Sequence, residues 1–177
     1  MREIRNVRVI TLAAMLTAVA VILGFFKIPI TSLIEIRFQS IPVKLAGMLM
    51  GPFVGGTVGI LTDVLSYLVR PTGAFFPGFT ITSLVTGVIF AIFLYKKPFS
   101  MFRVAMAELT TGLLCSMLLN TLWLSILYKT PYLTTFMARL PKELVMLPIN
   151  ILIICLVSKA VHGIAERFLE PVRSREQ

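Results

Sequence analysis

Long, nearly uninterrupted apolar runs limit what this chain can fold into more than any other feature. A helix needs about 20 residues to cross the hydrocarbon core of a bilayer, with a usable range of about 17–25. Residues 9–26, 79–95, 104–128 and 144–161 each fall in that range. Residues 41–69 are too long for one crossing and short for two. Gly51-Pro52 interrupts them, because proline cannot continue a helix and glycine tolerates the turn. The split gives a short helix followed by a full one. The expectation is a single domain over residues 1–177: an all-α membrane protein, a bundle of six transmembrane helices. Its second helix is too short to cross alone, so protein or a cavity must surround that helix's end. Composition agrees. Apolar residues make up 57% and charged residues 14%, and a soluble fold of this size could not hide so much apolar surface. Lipid is therefore the solvent for most of the chain. A soluble enzyme, a disordered tail and a disulfide scaffold are excluded.

The charge is lopsided, with 17 Lys and Arg against 8 Asp and Glu. In a soluble domain this would point to nucleic acid. Here the cations sit between apolar runs, so no nucleic-acid partner is expected. With six spans, one side collects Arg2, Arg5, Arg8, Lys96, Lys97, Arg103, Lys159, Arg167, Arg173 and Arg175. The other collects Lys27, Arg37, Lys44, Arg70, Lys129, Arg139 and Lys142. The larger group goes to the cytoplasm, which puts both termini there. The basic N-terminus is followed by no convincing signal-peptide cleavage site. The outer segments 27–40, 70–78 and 129–141 are long and carry aromatics, prolines and cations. Such loops are where a binding site sits, so a ligand cavity near the extracellular side is expected.

Nothing in the sequence assembles a catalytic set, and an enzyme is not expected. His162 stands alone near the end of the last apolar run, in the manner of a helix-dipole partner. Cys115 and Cys155 lie inside apolar runs and read as small buried residues. No phosphate-binding G-x-x-x-x-G-K-[ST] loop is present. No His/Cys cluster suggests a metal, and no cofactor is expected.

The residues that stand out are polar or aromatic groups at the outer ends of spans. Arg70-Pro71-Thr72-Gly73-Ala74-Phe75-Phe76-Pro77-Gly78-Phe79 frames three phenylalanines with two prolines and two glycines. Phe75, Phe76 and Phe79 either stack on a flat heterocycle beside Arg70 or form an interfacial belt. Asp63, Tyr67 and Arg70 share one helix face. A carboxylate within a span costs about 2.5–3.5 kcal/mol at the midplane, so Asp63 faces either a cavity or a basic partner. Asn120 and Trp123 are three residues apart, as ligand contacts or, for Asn120, as helix–helix glue. Arg139 and Lys142 are cations at an outer helix start, where the dipole prefers anions. They make sense if an external anion docks there. Arg37 is a third candidate cation. Ala14 and Ala18 form a small stripe open to a partner helix or to internal packing, and Gly47, Gly51, Gly55 and Gly59 recur every four residues as packing positions.

Together these features resemble the substrate-binding S components of energy-coupling factor (ECF) vitamin transporters. The basic N-terminus, the Ala-x-x-x-Ala first helix and Ala46-Gly47-Met48-Leu49-Met50-Gly51-Pro52 are general to that family. Three segments resemble its folate-specific members: Pro71 to Thr80, Asn120-Thr121-Leu122-Trp123-Leu124-Ser125, and Arg139-Leu140-Pro141-Lys142-Glu143 with Met146-Leu147-Pro148-Ile149. The resemblance implies a bacterial plasma-membrane protein that captures folate outside as transported ligand. It implies partnership with a transmembrane coupling protein and two ATPase subunits, and toppling in the membrane to release cargo inside. It puts the docking face on Ala14 and Ala18. A flat pterin, an aminobenzoyl ring and a dicarboxylate tail suit aromatics plus Arg and Lys. Another flat vitamin such as riboflavin, or a small membrane protein without a soluble ligand, is the alternative.

Overall fold

α2 runs over Ser40–Met50 and is the element around which the others gather. The computed structural model describes residues 7–31, 34–69, 71, 76–97 and 100–173. α1 (Val7–Phe25) leads into an antiparallel hairpin, β1 (Lys27–Thr31) and β2 (Ile34–Arg37), which sets Lys27 opposite Arg37. After α2 come α3 (Pro52–Val69) and α4 (Pro77–Leu94). α5 is a continuous rod over Met101–Tyr128. Its middle, Gly112–Leu119, is π-helical. α6 covers Tyr132–Arg173.

The chain is a helical membrane fold with one small hairpin inserted. Among the described residues, α3, α4 and α5 are each long and apolar enough to cross a membrane. The two arms of α6, Tyr132–Pro141 and Glu143–Lys159, make a fourth such segment if the pair is one span, bent by 51°. α1 and α2 are shorter apolar helices. Large apolar side chains stand exposed on many helices, among them Ile22, Phe53, Ile92, Phe102, Leu113 and Leu156. In water this would be a costly surface; in lipid it is the expected one. Several hydroxyls inside the helices are satisfied locally. Thr17, Thr86 and Thr111 each donate to the carbonyl four residues back, which lets a polar side chain sit in an apolar medium.

Gly51 ends α2 with φ 90°, and its N–H donates to the Gly47 carbonyl. Pro52 then opens α3, where a missing N–H costs nothing. From Pro42 to Met48 every residue of α2 is buried, so the half-length helix is sheathed by protein as the sequence requires. One face, with Val43, Ala46 and Met50, packs against Val9 of α1 and Val54 and Val58 of α3. The other, with Leu45 and Met48, packs against Phe90 and Leu94 of α4, Val104 and Ala107 of α5 and Ile154 and Cys155 of α6. Glycines bring the backbones into contact. A methyl group on Gly47 would collide with the Gly87 carbonyl, one on Gly55 with the Gly47 backbone, and one on Gly59 with the Ser83 carbonyl.

Two expectations from sequence are corrected here. Lys44 is not a cation of an outer loop. It lies within α2 and its Nζ donates to both carboxylate oxygens of Glu108 on α5, at 2.7 and 2.8 Å. The two side chains are only 4% and 5% exposed, and the ammonium also sits 5.3 Å from the centre of the Phe90 ring. A lysine can enter the core because a carboxylate meets it there. Residues 129–141 are not an extended loop either. Lys129, with φ 53°, ends α5, and α6 begins at Tyr132. No glycine or proline interrupts Tyr132–Leu140, so it winds as helix until the bend at Pro141, where the ring cannot sit in a straight helix.

Removing one charge of the buried pair leaves the other uncompensated, and a loss of about 3–5 kcal/mol is expected for Lys44→Met or Glu108→Leu alone. The double variant, with two apolar side chains of similar size, should recover most of that loss. Thermal unfolding in detergent micelles of the four proteins in the cycle measures it. Equal destabilisation by single and double variants would contradict the pairing.

Candidate functional site

The antiparallel α3–α4 pair determines which polar groups meet. Gly59 lies against the Ser83 carbonyl. One turn further along α3, Asp63 faces one turn back on α4. Its Oδ2 accepts a 2.7 Å hydrogen bond from the Thr80 hydroxyl. No base is needed to satisfy Asp63 at this oxygen, and a carboxylate retains capacity for further donors. On the neighbouring side of α3, Gln39 at the start of α2 donates from Nε2 to Ser66 Oγ at 3.0 Å and to the Thr62 carbonyl at 3.3 Å. A methyl on Gly24 of α1 would come within 3.1 Å of Gln39 Oε1, so α1, α2 and α3 meet at this amide.

Aromatic side chains gather at the start of α4. Phe76 precedes the helix in extended conformation and Pro77 occupies its first turn. The Phe76 ring lies 6.2 Å from Phe79 at 72° and 5.4 Å from Trp123 of α5 at 45°. These are edge-on and tilted arrangements that ring quadrupoles favour. Trp123 Nε1 donates to Thr82 Oγ1 at 3.2 Å. Asn120, one turn before Trp123 and half-buried, is the first residue beyond the π stretch; its N–H donates to the Cys115 carbonyl five residues back.

The first arm of α6 is tied to the end of α5. Ser125 donates to the Thr130 carbonyl, and the Thr130 and Thr135 hydroxyls bond at 2.9 Å. Arg139 on that arm is 6% exposed and is engaged within the protein. Glu143, one turn on, brings Oε1 beside Gly112, where a methyl group would come within 3.2 Å.

Of the residues singled out by sequence, Phe76, Phe79 and Trp123 are brought together, and Asp63 joins α3 to α4 beside them. Tyr67 is half-buried, one turn beyond Asp63. Arg70 and Phe75 lie outside the described residues, as do the side chains of Arg37, Lys142 and His162. Ala14 and Ala18 are both exposed on α1, so the stripe faces outward and not into the bundle. Gln39, Thr80 and Thr82 were not evident from sequence. Their signal is faint: a lone polar residue ahead of an apolar run, and two threonines inside one. No group of three or more His, Cys, Asp or Glu among the described residues could hold a metal ion.

Comparison with known proteins gives this arrangement a context. The model of the ECF transporter substrate-specific component matches residues 8–158. The chain belongs to that family. It is 40% identical over 145 residues to the folate transporter FolT of Clostridium novyi, covering 82% of this chain and 84% of that one. It is 28% identical to FolT of Leuconostoc mesenteroides, covering 82% of each. Against the riboflavin transporter FmnP of Bacillus subtilis it is 28% identical over 69% of this chain and 63% of that one. Its fold is similar to a crystal structure of FolT bound with folic acid, with a TM-score of 0.81, 32% identity, and coverage of 88% of this chain and 95% of that one.

Proposed function

We propose that this chain is the folate-capturing substrate-specific component of an ECF uptake transporter. The observation that carries the reading is the likeness in fold and sequence, over most of its length, to FolT bound with folic acid. The proposed architecture is six membrane helices with both termini cytoplasmic and the ligand cavity toward the extracellular side. Folate is the transported ligand and not a cofactor, and no catalysis is involved. The sequence has no phosphate-binding loop of the G-x-x-x-x-G-K-[ST] type. Energy would then come from partners, and the family resemblance implies a transmembrane coupling protein and two ATPase subunits.

The chemistry of the site suits this ligand. Phe75, Phe76, Phe79 and Trp123 offer flat apolar faces for the pterin and aminobenzoyl rings. Asp63, already fixed by Thr80, accepts from the amino-pyrimidinone edge of the pterin; Asn120 and Tyr67 supply further polar contacts. Arg37, Arg70, Arg139 and Lys142 are the cations for the carboxylate tail, and Arg139 has the alternative of lying flat on a ring. Similarity to a riboflavin transporter favours a second reading, in which another flat vitamin occupies the same aromatic seat. Ala14 and Ala18 are the proposed contact with the coupling protein, because small exposed side chains let a partner helix approach closely.

Three outcomes are expected. Calorimetric titration of the purified protein should find folic acid binding tighter than micromolar, with riboflavin and thiamine weaker; tighter riboflavin binding would favour the second reading. Arg139→Ala, in a variant that still folds, should weaken folic acid by about 10–150-fold, equivalent to one charge-assisted hydrogen bond of about 1.5–3 kcal/mol. Unchanged affinity would remove Arg139 from the ligand. Replacing Ala14 and Ala18 together with tryptophan should leave folic acid binding near normal while abolishing ATP-driven uptake by the reconstituted complex. Lost binding in an assembled complex would contradict a docking role.

A further inference from the structure

We infer that Thr82 and Gly78 are positioning residues, which together seat the Trp123 indole so that its ring is presented to the ligand in one orientation. The inference rests on the folate-binding reading for its consequence, but its geometry stands independently. Trp123 Nε1 is a donor only. It points at Thr82 Oγ1, 3.2 Å away, and Thr82 is buried. The hydroxyl commits its own hydrogen to the Gly78 carbonyl, 3.0 Å away on the preceding turn of α4. The direction of this relay is therefore fixed: indole N–H to hydroxyl, hydroxyl to backbone carbonyl. A freely rotating hydroxyl would at times turn its hydrogen toward the indole; this one presents lone pairs.

The second point of attachment is a missing side chain. The Trp123 ring occupies the space where a Cβ of Gly78 would project, 2.6 Å from Cε2, and the Phe76 ring closes the same space at 2.6 Å from Cε1. Any residue larger than glycine would drive the indole off the first turn of α4. One contact under the fused ring bond and one hydrogen bond at its edge remove both sliding and rotation. The tilted Phe76 ring at 5.4 Å then holds one side. Trp123 is only half-buried, so without these contacts the side chain would sample several rotamers. A platform already held in its bound orientation avoids the ordering loss that a mobile one incurs on binding.

The test uses the fact that Trp123 is the protein's only tryptophan. Full-length wild type, Thr82→Val, Thr82→Ser and Gly78→Ala are purified in the same detergent. Ultraviolet resonance Raman reads the indole N–H hydrogen bond, fluorescence anisotropy reads indole mobility, and calorimetry reads folic acid affinity. Thr82→Val, nearly the same shape but without the acceptor, should lose the hydrogen-bonded N–H signature, lower the anisotropy and weaken folic acid about 2–12-fold. Thr82→Ser should restore all three. Gly78→Ala should lower anisotropy and affinity; if it fails to fold, the Thr82 pair decides. An unchanged Raman signature in Thr82→Val overturns the seat. A lost signature with unchanged folic acid affinity overturns its role in binding, as does equal weakening by valine and serine. Failure of the wild type to bind folic acid would instead overturn the folate reading, and the ligand-free Raman and anisotropy data would still judge the seat.

Discussion

Backbone contact between α2, α3 and α4 is the constraint on which the other features depend. With Cβ atoms at Gly47, Gly55, Gly59 and Gly87 the three helices could not approach as they do. Lipid provides no hydrophobic drive to bring helices together, so close packing must do it. The same contact sets register. Gly59 lies against Ser83, and Asp63 consequently meets Thr80 one turn along. Gly47 lies against Gly87, and Lys44, one turn earlier on α2, consequently reaches the Phe90 ring one turn later on α4. Two polar features of unlike character are thus aligned by one set of small residues.

The Lys44–Glu108 pair joins that three-helix slab to α5. In an apolar interior the attraction is large, but so is the loss of hydration, and an apolar pair of the same volume is often as stable. Specificity is what the pair adds. Hydrophobic contacts from Leu45 and Met48 would tolerate a shift of α2 along its neighbours; a lysine that must find one carboxylate does not. Farther along α5 the hydrogen bond from Trp123 to Thr82 makes a second polar link to α4. The slab is therefore tied to α5 by polar contacts at two separated levels, one through α2 and one through α4.

Much of this was legible in the sequence where the signal was local. Apolar length located α1, α3, α4 and α5 to within a few residues, and Gly51-Pro52 marked the break between α2 and α3. Phe76, Phe79 and Trp123 stand out in sequence as aromatics toward the outer ends of apolar runs; that their rings meet is seen only in the fold. What escaped was non-local. Lys44 looks like a boundary cation, because its partner Glu108 is 64 residues away and only tertiary contact joins them. Gln39, Thr80 and Thr82 are unremarkable in sequence and acquire meaning only from what faces them. Cations and aromatics make residues 129–141 read as loop, whereas the absence of any helix breaker over Tyr132–Leu140 lets that stretch wind as helix. The hairpin of Lys27–Thr31 and Ile34–Arg37 is too short for alternation to announce it.

The π-helical stretch Gly112–Leu119 lies between Glu108 and Trp123. Its i→i+5 hydrogen bonding accommodates chain that α-helical winding would not. Were one residue lost there, the segment could rewind as ordinary α-helix, seven residues at about 100° each sweeping nearly the angle that eight sweep in the wider π winding, so everything beyond it would keep its facing. Trp123 would then still meet the first turn of α4, and the buried ion pair would stay where it is. The wide winding is thus a length buffer: this helix can lose a residue between its two polar contacts while both stay in register.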